Sequence, residues 1–231
     1  MDERQAAAST PAGGRLPTPH EAESLLRAAA RRNPGPWVDH VRVAAGAARA
    51  LAARIPGMDP EAAAVLGLLH DVGRGSGGPG VADVRHILDG YTLLRDAGFD
   101  GAARVCLTHS FPIKDVDAFA SAWDCPPPEK RFVQEYLDGL EYDDYDRLIQ
   151  LCDALSLPGG PCLLEKRLVD VALRHGINAL TLAKWRAYVE LRRDVEARAG
   201  VSVYRLLPGV VETTFGFDTP GAAPRGGSAA P

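Results

Sequence analysis

The groups in this sequence most able to carry chemistry are six histidines, His20, His40, His70, His86, His109 and His175, together with aspartates set in apolar surroundings. His40 heads the series 40, 44, 48, 51 and 55, whose helical spacing turns it toward an interior rather than toward water. His70 and Asp71 close the apolar run Val65-Leu66-Gly67-Leu68-Leu69. Asp153 lies between Leu151-Cys152 and Ala154-Leu155. A buried imidazole or carboxylate without a partner is costly, and one divalent cation satisfies two acids and two imidazoles together. His86 follows a glycine-rich stretch and His109 ends a helical segment, which suits either metal ligation or ordinary helix-terminal placement. His20, at the margin of an N-terminal tail, and His175, just before the helix-ending Gly176, read as structural.

Helices must position these groups. An apolar stripe predicts a helix over 37–55, stopped by Pro56-Gly57. Asp59-Pro60-Glu61 predicts a capped start for a helix reaching about Val72, followed by a loop over the glycines from Gly73 to Gly80. Further helices are expected over about 84–97, from Asp100 toward His109, over about 128–139, from Asp143-Asp144 to about Leu155, over about 162–175, and over about 179–199 behind Asn178. The β-branched stretch 201–214 has no clear partner strand and reads as irregular or as a short added element. No alternating pattern supports a central sheet, so the fold class is all-α. Residues 1–19 and 216–231, rich in Gly, Ala and Pro, read as disordered tails around a single domain over 20–215.

Composition narrows the function. The chain has 231 residues with 26 Lys and Arg against 30 Asp and Glu, a net charge of −4 that disfavours a nucleic-acid scaffold. No apolar run is long enough to cross a bilayer, and the start lacks a secretory leader. Four cysteines without a CxxC pair read as free thiols, and the expected location is the cytoplasm.

His40 in Trp37-Val-Asp-His-Val-Arg-Val-Ala44, then Leu68-Leu-His-Asp-Val-Gly-Arg74, then His86, His109 and Asp153, resemble the H…HD…H…H…D order of the HD-domain superfamily of metal-dependent phosphohydrolases. The likeness spans roughly residues 36–156, and its LLHDVGR element is highly specific. It implies an HD-type helical bundle, to which the helices read over about 162–200 are C-terminal additions. His40, His70, Asp71 and Asp153 are then ligands of one metal, with His86 and His109 as extra ligands of a two-metal site that Asp71 bridges. It also implies attack of a metal-bound hydroxide on phosphorus in a nucleotide or other small phosphate ester. Asp71 and Arg74 are the expected catalytic residues, Arg74 standing where many members have a phosphate-contacting lysine. An arginine serves that role bidentately.

Imidazole and carboxylate donors suit Fe, Mn, Co, Ni or Zn better than Ca, and the lack of cysteine ligands argues against a structural zinc. One or two divalent ions are expected, Mn or Fe favoured, with Mg, Co, Ni or Zn as alternatives. Lys114, Lys166 and Arg167 are further candidates for substrate phosphate, each with a solvated-surface alternative. The glycines of 73–80 are followed by no GK[ST], so they form no P-loop and read instead as a lid or connector. The stretch Glu141 to Asp146 reads as a solvated helix cap, Trp123, Trp185 and Tyr188 as core or edge packing, and Lys184 as part of an exposed, mixed-charge helix face.

Two details bear on the substrate. Gly90-Tyr91 is followed by Thr92 rather than proline, unlike the cyclic-di-GMP phosphodiesterases of the superfamily. The spacing of His86 and His109 is similar to that of small bacterial members that split diadenosine tetraphosphate, but similarity outside the ligands does not carry that substrate. The competing reading is a non-catalytic HD module that keeps its metal for ligand sensing or structure.

Overall fold

Thr18 opens the first helix with a capping box: its hydroxyl accepts from the Glu21 amide at 3.3 Å, and its own amide donates to Glu21 Oε2 at 2.8 Å. The computed structural model describes residues 14–77, 84–119, 121 and 123–218. Most of the two expected tails, 1–13 and 219–231, lies outside them. Of the rest, Leu16 packs on the core and the Arg15 carbonyl accepts from the Gly101 amide at 3.3 Å.

Helix α1 (Pro19–Arg32) buries Ala22, Leu26 and Ala29. Helix α2 (Trp37–Ala52) stops short of the expected 55, yet Ile55 stays buried. Asp59 accepts from the Glu61 and Ala62 amides to start α3 (Pro60–Leu69), which is buried along nearly its whole length. Such a helix has no polar face and belongs at the centre of the molecule. It crosses α2 tightly at Gly67, where a Cβ would lie 2.9 Å from the Ala45 Cα, so only glycine permits the approach.

Beyond α3 the chain departs from expectation. The glycine-rich segment opens as a 3-10 helix over Val72–Ser76, with Val72, Gly73 and Gly75 buried, where a loop was expected; residues 78–83 lie outside the described set. Helices α4 (His86–Asp96) and α5 (Asp100–Thr108) follow, then a 3-10 turn over Val116–Ala118 and α6 (Pro127–Asp138). Helix α7 (Asp144–Ala154) starts from Asp143. Asp146 caps α7 as expected, accepting from the Asp143 amide at 3.0 Å, but it is not solvated: it is fully buried, also accepting from Arg104 Nε at 2.9 Å and Thr108 Oγ1 at 2.7 Å, and so ties α5 to α7.

Between α7 and the next helix, two-residue strands β1 (Ser156–Leu157) and β2 (Gly160–Pro161) pair antiparallel across Pro158-Gly159. Helices α8 (Leu164–His175) and α9 (Thr181–Ala199) form the C-terminal arm. The stretch 201–214 carries a 3-10 turn at Val203–Arg205 and enters α10 (Val210–Phe215). The architecture is all-α with one minimal hairpin among the described residues.

The main core joins α1, α2, α3, α7 and the inner face of α9, largely through alanine, leucine and valine. A smaller cluster of Val84, Ile87, Leu107, Phe111, Val133 and Leu137 links α4, α5 and α6. None of the described helices is long and apolar enough to cross a membrane.

Candidate metal centre

The centre lies where α2, α3, α4, α5 and α7 converge. His70 caps α3 and is fully buried; its Nδ1 donates to the Gly67 carbonyl at 2.8 Å, which directs Nε2 inward. Asp71, at φ −108° and ψ 13°, breaks the helix, so two consecutive side chains reach the same pocket. His109 caps α5, with Nδ1 3.0 Å from the Cys106 carbonyl and Nε2 likewise inward. His40 stands in the first turn of α2, His86 opens α4 and Asp153 sits near the end of α7.

His86 Nε2 lies 2.9 Å and His109 Nε2 3.4 Å from Asp71 Oδ1. His40 Nε2 lies 3.1 Å from Asp153 Oδ1, and His70 Nε2 is 3.9 Å from both Asp71 Oδ2 and Asp153 Oδ1. Two donor sets result, His40-His70-Asp71 and Asp71-His86-His109, each with its atoms within 4.8 Å of one another and Asp71 common to both. Asp153 borders the first.

Gly73 makes this approach sterically feasible. A Cβ there would fall 2.0 Å from the His86 carbonyl oxygen and 2.3 Å from the Gly90 nitrogen, so the start of α4 lies directly on the 3-10 segment. His86 is thereby held against Asp71.

The protonation states suit ligation. Burial pushes His70 down to about 4, so its imidazole stays neutral. Burial would raise Asp71, but the neighbouring Arg74, His86 and His70 hold its carboxyl well below the usual carboxylate range. Asp153 is likewise held low, against burial, by the hydrogen bond and charge of His40 and by Arg167 and His70. His109 is raised, its contacts with Asp71 outweighing burial.

These residues fit a divalent cation. The buried Nε2 of His70 makes no hydrogen bond to any described residue, an arrangement a cation resolves. The donors are imidazole nitrogens and carboxylate oxygens, a set for Mn, Fe, Co, Ni or Zn. Cys106, buried nearby, turns its thiol to the Leu69 carbonyl instead.

The centre forms part of a cavity of about 500 Å³. Arg74 lines it and donates through Nε to Asp71 Oδ2 at 2.5 Å. Arg167 also lines it, with Nη2 3.8 Å from Asp153 Oδ1 and Nη1 3.2 Å from Asp170 Oδ2. Lys114 and Lys166 are not among its lining residues. The Lys114 ammonium is bonded to the Leu140 carbonyl and lies over the Tyr142 ring, while Lys166 is exposed on α8. His175, read as structural, lies at the rim with Nδ1 2.7 Å from Ser121 Oγ, and His20 is exposed on α1.

Lys184, Trp185 and Tyr188 also line the cavity. For Lys184 this corrects the exposed-face reading: it is partly buried, and its neighbours along α9 gave no local signal of that.

The family model of the HD domain matches residues 37–157. The chain belongs to the HD-domain family. Every residue of the two donor sets, and Asp153, falls inside the segment that matches the HD domain, whereas α8 and α9 fall outside it. No match was found among curated proteins or among solved structures. The HD domain is a fold of a metal-dependent, phosphohydrolase-type superfamily, and the buried His/Asp cluster is consistent with divalent-metal binding.

Proposed function

We propose that this HD-domain protein is a divalent-metal-dependent phosphohydrolase acting on a nucleotide or other small phosphate ester. The observation that carries the reading is one buried carboxylate, Asp71, common to two donor sets beside a cavity of about 500 Å³ whose lining includes Arg74 and Arg167. His40, His70, Asp71 and Asp153 would hold one ion, and Asp71, His86 and His109 a second. Bound ions of this kind supply Lewis acidity that activates water and neutralises charge on phosphoryl oxygens.

The chain's own residues do the rest. Asp71 and Asp153 remain anionic and offset the charge of the ions. Arg74 steadies Asp71 through Nε and brings a cation to the substrate's phosphate. Arg167, against Asp153, adds positive charge to the same wall. Lys114 and Lys166 do not line the cavity, and no contact is assigned to them.

The test is metal analysis of the purified chain combined with hydrolysis of a nucleotide panel, with and without Mn²⁺ or Fe²⁺. Metal-dependent release of phosphate or nucleotide is expected. An absence of both metal and turnover refutes the reading, and metal without turnover of any ester leaves the non-catalytic module.

A further inference from the structure

The cavity reaches beyond the metal centre onto a wall built by α8 and α9, outside the segment that matches the family. Lys184 projects from α9 with Nζ 5.3 Å from the Phe119 ring centroid. Among the described residues its ammonium has neither a salt bridge nor a hydrogen bond. Burial pushes its ammonium down to about 8, against the pull of Asp153. A lysine drawn from water without an acidic partner is unfavourable unless something else supplies the anion. Arg167, on α8, keeps one donor unused: its Nη atoms face Asp170 and Asp153, but its Nε is buried and has no hydrogen-bond partner among the described residues.

Beside polar residues such as Ser121, Asp170 and Arg174, the wall carries aromatic faces. Trp37, Phe119 and Trp185 line the same cavity, flat surfaces on which a planar ring can stack. A volume of about 500 Å³ falls within the roughly 300–1,000 Å³ typical of small-molecule sites.

We propose that Lys184 and Arg167 form an anion-recognising pair that holds a phosphoryl group of the substrate, while Trp37, Phe119 and Trp185 receive an attached planar ring. The substrate class is then a compact phosphorylated compound with an aromatic ring, of the size of a single nucleotide. This rests on the phosphohydrolase reading for the identity of the ligand, and it assigns phosphoryl recognition to α8 and α9, outside the family segment, with Trp37 and Phe119 of that segment completing the ring site.

The test is calorimetric titration of the full chain with AMP and with adenosine in the presence of a chelator, where no turnover intervenes. AMP is expected to bind more tightly than adenosine. Lys184→Met should weaken AMP by about tenfold, the scale of one charge-assisted hydrogen bond, and leave adenosine unchanged. Lys184→Arg should retain AMP binding, and an unchanged thermal midpoint in both variants shows that the fold is intact. AMP binding no tighter than adenosine, or AMP affinity unaltered by Lys184→Met, overturns the proposal. Because this titration needs no catalysis, it is independent of the hydrolysis panel. Loss of turnover with an intact AMP preference would defeat only the phosphohydrolase reading.

Discussion

Substitution of Asp71 by alanine, set beside His86→Ala, tests whether one carboxylate serves two ions. In the wild type, Asp71 Oδ1 is 2.9 Å from His86 Nε2 and 3.4 Å from His109 Nε2, while Oδ2 faces His70 Nε2 at 3.9 Å. Asp71→Ala removes the anionic donor of the second set and leaves two imidazoles. It also reduces the first set to His40 and His70, with Asp153 Oδ1 3.1 and 3.9 Å away. Losing a group that only orients a ligand costs about 10–100-fold in metal affinity, so losing the ligand itself should cost at least about 100-fold at each ion, or about 2.8 kcal/mol. His86→Ala strips only the second set. The assay is metal content per chain by elemental analysis after dialysis against micromolar Mn²⁺, with circular dichroism to confirm folding. Two ions per chain in the wild type, one in His86→Ala and none in Asp71→Ala are expected, with activity lost in Asp71→Ala. Unchanged stoichiometry in folded His86→Ala, or full retention in Asp71→Ala, would refute the shared-carboxylate arrangement.

Two further substitutions probe what holds the centre together. Gly73→Ala places a methyl group 2.0 Å from the His86 carbonyl oxygen and 2.3 Å from the Gly90 nitrogen, both backbone atoms, so no side-chain rotation relieves the overlap. A loss of about 1–3 kcal/mol is expected, seen as a thermal midpoint lowered by roughly 2–4 °C per kcal/mol, together with reduced metal content; a midpoint equal to wild type would contradict the packing argument. Asp146→Ala leaves the mostly buried guanidinium of Arg104 and the hydroxyl of Thr108 without their buried acceptor. Breaking a buried ion pair from one side costs about 3–5 kcal/mol, measurable by urea unfolding, and a cost below about 1 kcal/mol would show that α5 and α7 are held by other contacts.

Much of this protein is legible along the chain. The helical periodicity, the Asp59-Pro60 start, the Asp143 cap and the glycine stops are local signals, and the helices follow them to within a few residues. The order of His40, His70-Asp71, His86, His109 and Asp153 is likewise a property of the sequence, with a physical motive in the apolar surroundings of most of these residues. Asp146 was misread because its neighbours are acidic and solvent-like, whereas its partners, Arg104 and Thr108, lie about forty residues away. Gly73 looked like loop punctuation, and the reason glycine is needed there is the backbone of α4, which no local pattern reveals.

The sequence by itself determined which segments coil and which side chains are able to bind metal, because capping, periodicity and ligand chemistry act within a few residues. Only the tertiary structure decided which cationic side chains line the cavity: Arg74, Arg167 and Lys184 do, and Lys114 and Lys166 do not. The face a helix offers to a distant pocket depends on how it packs against segments far along the chain, and local composition does not encode that crossing.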